Sequence, residues 1–217
     1  MSGLTLRGVT LTIAGHLLIG PLDLTISPGE IVALLGPSGV GKSSLLKFVC
    51  GVSPSAFVSC GEVWLEGRNI TDLPPQQRGV GILFQDDLLF PHLSVRGNLA
   101  FGLRAPERSR RERLCLIEEA LDSMGLPGFG ERDPATLSGG QRARVGLLRV
   151  LLSRPRALLL DEPFAHLDPQ TRADVRHVVF NEARRRNLPT LLVTHNTEDV
   201  ASAGGPCVKL KSPRQEE

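Results

Sequence analysis

Residues Gly36-Pro37-Ser38-Gly39-Val40-Gly41-Lys42-Ser43 fit the spacing G-x-x-x-x-G-K-[ST]. The chemistry of that pattern is phosphate binding. Its glycines let the backbone turn tightly, so that successive N–H groups point inward at phosphate oxygens. Lys42 can reach β- and γ-phosphates, and Ser43 can place its hydroxyl on Mg²⁺. Ser44 follows in the helix that the loop opens and is counted with it.

Further along, Leu158-Leu159-Leu160 delivers two carboxylates in sequence, Asp161 and Glu162. Beside a phosphate loop, Asp161 suits Mg²⁺ and Glu162 can act on water as a general base. Two acids at a strand end can also merely cap the next element, a reading that the neighbouring phosphate loop makes the weaker one. Gln85 could position water or touch the metal, and His195 could donate to a γ-phosphate. Each is weak evidence alone. Leu137-Ser138-Gly139-Gly140-Gln141 is more telling. Ser138 and Gln141 form an S-x-x-Q capping box. The box does not account for glycines at N1 and N2, where alanine would fold better. Bare N–H groups at a helix start make a second phosphate site.

The elements that must hold these residues are legible as patterns. Ile31 to Leu35 is a short apolar run, as expected of a strand buried on both faces. Residues 44 to 50 continue as helix, with Gly51 as its stop. Residues 4–13 and 22–26 alternate, as half-buried strands do, and 61–65 adds another. Residues 79–84 form an apolar strand ending at Gln85. Residues 86 to about 145 read mostly as helix, with Leu114, Ile117, Leu121 and Met124 on one face. Ser109 to Arg113 is a charge run at the start of that helix and reads as a solvated face. Pro127, Gly128, Gly130 and Pro134 mark the exit of the helical stretch. Asp168-Pro169 reads as an N-cap followed by proline at the first helical position. Its helix buries Val175, Val178, Val179 and Ala183. A last strand lies around 207–210. Four apolar strands thus end at Gly36, Gln85, Asp161 and His195. If the four are parallel, these sites converge at one sheet edge, where open α/β sheets bind ligands.

Composition narrows the function classes. The 217 residues suit one domain, and a net charge of +2 is too mild to argue for nucleic acid. With no tyrosine and one tryptophan, Trp64, a base-stacking surface for single strands is not expected. Cys50, Cys60, Cys115 and Cys207 contain no C-x-x-C pair. Cys50 and Cys115 fall in apolar helical patterns and read as small core residues, free thiols of a reducing cytosol. No secretory signal and no run of ~18 apolar residues is visible. Work at a membrane would therefore require another chain to hold this one there.

The chain resembles the ATP-binding cassette ATPases, the motor subunits of ABC transporters, from about residue 4 to 200. Residues 36–43 resemble the Walker A loop, Gln85 the Q-loop, and 137–141 the LSGGQ signature. Residues 158–162 resemble Walker B with its catalytic Glu, Ala165-His166-Leu167-Asp168 the D-loop, and His195 the switch histidine. The resemblance implies an α/β fold: a P-loop NTPase (RecA-like) core with an antiparallel β subdomain and a helical insertion. It implies one domain over 1–217, with 1–85 and 146–217 as core and 86–145 as helical signature subdomain. It implies ATP and Mg²⁺ as ligands, with Glu162, His195 and Gln85 catalytic. Ser43, Gln85 and Asp161 would hold the metal. Residues 36–44, Ser138, Gly139, Gly140, Gln141 and Asp168 would contact nucleotide.

The family works as head-to-tail pairs, each ATP lying between one copy's Walker A loop and the other's signature. The partners implied are a second copy of the chain, transmembrane permease subunits and, indirectly, an extracytoplasmic solute-binding protein. Nucleic acid is not among them. The location implied is the cytoplasmic face of the inner membrane, peripheral through the permease. Residues 85–95 resemble cassettes that receive a coupling helix beside the Q-loop. The nearest likeness is to stand-alone cassettes of bacterial binding-protein-dependent importers of the thiamine, polyamine, iron or sulfate kind, in particular an uncharacterised member of that group. Exporter, lipoprotein-release and cell-division cassettes share the core and form the alternative. Soluble cassettes of DNA repair or translation carry coiled coils or tandem cassettes, and neither is visible. A non-hydrolysing module is opposed by the intact Lys42, Asp161, Glu162 and His195. Two departures stand out. Ile13, with His16 close by, falls where the family usually stacks an aromatic on adenine, so weaker or less selective base binding is expected. And 22 residues follow His195, too few for the C-terminal regulatory domain of many importer cassettes.

Overall fold

A computed structural model describes residues 3–86, 88–104 and 108–210. In chain order the elements are β1 (Leu4–Ile13), β2 (His16–Ile26), β3 (Ile31–Leu35), α1 (Lys42–Cys50), β4 (Phe57–Leu65), β5 (Arg68–Asn69), α2 (Pro75–Arg78) and β6 (Val80–Leu83). Then follow α3 (Val95–Gly102), α4 (Arg110–Ser123), a 3₁₀ turn at Pro134–Thr136, α5 (Gly139–Leu152), β7 (Ala157–Asp161), α6 (Pro169–Arg185), β8 (Thr190–Thr194), α7 (Thr197–Ala203) and β9 (Cys207–Lys209). No helix among the described residues is long and apolar enough to cross a membrane. The residues group into two compact units.

The first unit comprises 1–82, 156–162 and 180–217, and it holds two sheets. One is antiparallel, in the order β2-β1-β4-β5. Its inward residues alternate along the strands. Leu4 and Leu6 lie opposite Ile26 and Leu24 on one side and Leu65 and Val63 on the other. The other sheet runs β6-β7-β8-β3-β9, with β7, β8, β3 and β9 mutually parallel. β7 and β8 are buried at every position and β3 at all but its last. That is why they read as continuous apolar runs rather than alternating ones. The register places Leu35 beside Thr194 and Asp161 beside Val193. The carboxyl ends of β3, β8 and β7 are therefore level, and the residues that follow them share one edge.

Arg78 was not singled out by the sequence, yet it organises this unit. It is buried, and its guanidinium donates to the carbonyls of Phe48 and Val49 at 2.8 and 3.0 Å, of Leu73 at 2.8 Å, and of Thr71. A buried cation is tolerated when its N–H groups are all directed at acceptors. Here it adds donors to the carbonyls of the last turn of α1, where helical partners run out. Burial still pulls the Arg78 pKa down.

The second unit comprises 83–155 and 163–179. It is built on α3, α4, α5 and the first part of α6. The boundary expected at 145 falls inside α5, which groups whole with this unit. Two expectations are corrected. The stretch from 86 to 94 is not helical in its described residues; α3 begins only after Ser94, whose hydroxyl caps it. Buried Asn98 shapes the loop instead, accepting from the Phe90 N–H and donating toward the carbonyls of Phe90, Leu93 and Ser94. And Cys115 is exposed. It stands two positions from buried Ile117, about 200° around a helix, and so on the opposite face. The charge run there is a solvated helix start, closed by a capping box between Ser109 and Glu112.

Candidate functional site

The phosphate-type loop joins β3 to α1. Gly41, at φ 97°, is the residue before α1, and no side chain caps that helix. Its first N–H groups are thus left to the loop. Pro37, Ser38 and Gly39 are exposed, whereas Val40 is buried and anchors the loop from below. A Cβ on Gly39 would meet nothing within 4 Å, so its φ of 83° is what requires glycine there. At Gly41 a side chain would also crowd Ile19 and Leu18 of β2.

Lys42 is only 4% exposed, and its ammonium donates to the carbonyls of Gly36 and Pro37 at 2.7 and 2.8 Å. It lies 3.6 Å from the Glu162 carboxylate. Ser43 donates its hydroxyl to Asp161 at 2.9 Å, across 118 positions of sequence. Asp161 is 7% exposed, and burial pushes its pKa up; the neighbouring Glu162 adds to the rise, while the Ser43 hydrogen bond opposes it. A buried carboxylate held at that cost, paired with a hydroxyl oxygen, is the hard-oxygen donor set that Mg²⁺ takes. Glu162 follows β7 in the left-handed region, at φ 45°. Strain of that kind in a non-glycine residue collects at functional sites. Its Oε2 lies 2.9 Å from His195 Nδ1.

The end of β8 is fixed by residues the sequence reading passed over. Thr194 donates its hydroxyl to buried Asp199 at 3.0 Å and accepts from the Asn196 N–H at 3.0 Å. Asn196 in turn caps α7 by accepting from Glu198. A threonine, an asparagine and an acid five positions beyond the threonine hold the turn that carries His195. Their signal was present as a cap pattern after a buried strand.

Among the described residues of the first unit, then, the expected Gly36–Ser44, Asp161, Glu162 and His195 come together. Ile13 is half-buried at the end of β1, opposite His16 on β2 and Phe57 on β4. The other expected residues lie in the second unit. Ser138 caps α5, and the capping box is complete: Gln141 N–H to Ser138 Oγ at 3.3 Å and Ser138 N–H to Gln141 Oε1 at 2.9 Å. The N–H groups of Gly139 and Gly140 stand between, and neither box residue takes them. Gly140 also has a packing reason to be glycine. A Cβ there would come within 2.5 Å of Thr171 on α6, whereas at Gly139 it would meet only Leu167 Cδ2, at 3.1 Å. Asp168 accepts from the Thr171 N–H at 3.1 Å, the N-cap expected of it. Gln85 is exposed and meets His166, their Nε2 atoms 3.3 Å apart. Asp87, within the stretch resembling coupling-helix receivers, lies outside the described residues.

The sequence profile of the ABC transporter family matches residues 19–165. The chain belongs to the ABC transporter family. It is an ATP-binding subunit and an ATPase of that family. It is 46% identical over 197 residues to the uncharacterized ABC transporter ATP-binding protein YnjD of Escherichia coli (strain K12), covering 91% of this chain and 90% of that one. It is 41% identical over 199 residues to the sulfate/thiosulfate import ATP-binding protein CysA of Gloeobacter violaceus, covering 92% of this chain and 57% of that one. To the Fe(3+) ions import ATP-binding protein FbpC of Streptomyces avermitilis it is 40% identical over 211 residues, covering 97% of this chain and 60% of that one. The chain therefore spans nearly all of the first relative and under two thirds of the other two.

Proposed function

We propose that the chain powers solute import across a bacterial membrane by hydrolysing MgATP between two copies of itself. The observation that carries the chemistry is the cluster of Lys42, Ser43, Asp161, Glu162 and His195 within hydrogen-bond and ion-pair reach at one sheet edge. Import is favoured over export by relatives whose names specify sulfate/thiosulfate and Fe(3+) import.

In this reading the backbone of Gly36 to Ser44 cradles the phosphates and Lys42 neutralises the β- and γ-phosphate charge. Ser43 and Asp161, with Gln85, would hold Mg²⁺, whose bound charge offsets that of the phosphates. Glu162 takes a proton from the attacking water as general base. His195 holds the Glu162 carboxylate through Nδ1 and presents its other nitrogen to the γ-phosphate. Asp168 and the signature residues Ser138, Gly139, Gly140 and Gln141 complete the site of a second copy. The fold is read as a RecA-like core carrying an antiparallel β subdomain and a helical signature subdomain.

Attachment to the membrane is assigned to permease subunits, with a solute-binding protein acting indirectly on the outer side. A patch on the second unit supports docking. Phe101 is 73% exposed and stacks edge-on against Phe90 at 4.8 Å. Arg149 lies over the Phe90 ring at 5.5 Å and donates to the Leu88 carbonyl. An exposed phenylalanine seated on a half-buried one that an arginine braces has the makings of an interface anchor. Affinity capture of the tagged chain from detergent-solubilised membranes tests the reading. It should bring down a multi-span permease, and Phe101→Asp should lose that partner while hydrolysis by the isolated chain stays within about twofold, since surface substitutions rarely disturb folding. Recovery of the chain with no integral membrane protein contradicts the proposal.

A further inference from the structure

The second unit contains a contact that neither the fold nor the capping of α5 or α6 requires. Gln85 and Asp86 meet His166, and the three line a cavity of about 430 Å³ with Gly139, Arg142 and Leu167. Gln85 Nε2 lies 3.3 Å from His166 Nε2, and His166 Nδ1 lies 3.8 Å from Asp86 Oδ1. Two nitrogens at that distance can bond only if one donates and the other accepts. An amide nitrogen has no lone pair to offer, whereas a neutral imidazole has one donor and one acceptor nitrogen. With the amide turned as it is here, its nitrogen toward the ring, Gln85 is the donor and His166 Nε2 the acceptor. The ring proton then belongs on Nδ1, the nitrogen that faces the Asp86 carboxylate.

We propose that Asp86, His166 and Gln85 form a relay in which His166 is a positioning residue: it occupies the nitrogen of the Gln85 amide and leaves the oxygen presented. An unrestrained glutamine amide can turn either end toward a ligand, and only the oxygen end can face a metal or accept from water. The Asp86 carboxylate favours the Nδ1–H tautomer through its charge, His166 holds the amide, and the segment 165–168 that carries His166 also carries the cap of α6. A shift of that segment would release Gln85. The argument rests on the role proposed above for Gln85.

The test begins with ligand-free protein. Long-range ¹H–¹⁵N correlation of the imidazoles, with His166 assigned by its loss in His166→Gln, should show Nδ1 protonated and Nε2 bare. Asp86→Asn should move the population toward the Nε2–H form. A His166 ring in the Nε2–H form in the unaltered protein overturns the relay. Kinetics supply the second arm. His166→Ala should lower kcat for ATP about tenfold, the scale of losing one positioned hydrogen bond, with KM within about twofold. His166→Gln, which can offer a carbonyl acceptor, should recover most of that loss, and His166→Lys, a donor only, should not. In a Gln85→Ala background, His166→Ala should add nothing further. Gln85→Ala with normal kcat overturns the role of Gln85 itself. Gln85→Ala impaired beside His166→Ala unimpaired overturns the relay alone.

Discussion

Two helices of this chain begin at glycines, and they begin differently. α1 follows Gly41 with no side-chain cap, so its first N–H groups and the loop before it are open to an anion. α5 follows Ser138 with a complete capping box, yet keeps two glycines inside that box. The first start is surrounded by Lys42, Asp161, Glu162 and His195, the equipment for chemistry. The second, among the residues of its own unit, has none of these. In the proposed reading, one is a phosphate site with catalytic groups, and the other is a set of backbone donors without them. That asymmetry is what a site completed by two copies requires of each copy.

The largest expected effects are at the first helix. Lys42→Ala should remove hydrolysis, by about 10²–10³-fold or more, the scale of losing one fixed charge-stabilising donor. Glu162→Gln should lower kcat by about 10²–10⁴-fold while ATP still binds, since it removes the base and keeps the shape. Stopped-assay phosphate release and nucleotide titration separate the two. If Glu162→Gln turns over normally, another group is the base.

The second helix start is tested by its two glycines. Gly139→Ala should stabilise the isolated chain by up to about 1 kcal/mol, because alanine suits a helix and only Leu167 Cδ2 must yield. Hydrolysis should fall all the same, because in the proposed two-copy site the methyl group would stand where the phosphate approaches. Gly140→Ala should destabilise by about 1–3 kcal/mol, since its Cβ meets the β-branched Thr171. Thermal melts beside ATPase assays read both. A Gly139→Ala protein that is more stable and fully active would make the second helix start a structural feature only.

A subtler contrast is between fold and function at Asp161. Its pKa is raised chiefly by burial, so in the folded chain the charged form is disfavoured relative to the unfolded chain. For a raised folded pKa, the group's contribution to stability is full below the unfolded value and declines as pH rises through the folded value. At neutral pH the carboxylate thus costs stability. Asp161→Asn should raise the melting temperature of the nucleotide-free protein at pH 7, less so in acid, while hydrolysis collapses. A lower melting temperature would mean that the Ser43 hydrogen bond outweighs burial.

The smallest effect separates the buried thiol of α1 from the exposed ones. Burial pushes the Cys50 thiol up to about 12, so it should stay unreacted at pH 8 in native protein. Cys60, Cys115 and Cys207 are exposed and should label first. Mass spectrometry of a brief maleimide treatment should show three additions; a fourth under native conditions would mean that α1 opens.

Much of this is legible in the sequence. β3, β7 and β8 read as continuous apolar runs because they are covered on both faces, and they hand over to the glycine loop, to Glu162 and to His195 at a level sheet edge. The capping box of α5 and the proline start of α6 are local, and local chemistry is visible in sequence. What was missed depends on contacts far apart in the chain. The apolar neighbours of Cys115 suggest a core position, although the helical phase puts it outside. The loop before α3 took a helical reading because the side chain that shapes it, Asn98, acts from within the next helix. Arg78 looks like a surface cation until four backbone carbonyls are found around it. His166 and Gln85 are 81 positions apart.

The central claim is that the loop at Gly36 to Ser43 is half of a site whose other half is the signature helix of a second copy. Sedimentation velocity of Glu162→Gln at saturating MgATP tests it directly. The account predicts a dimer that forms with ATP, reverts to monomer when ATP is removed, and is lost in Gly139→Ala/Glu162→Gln. A monomer with ATP bound at full occupancy would contradict it.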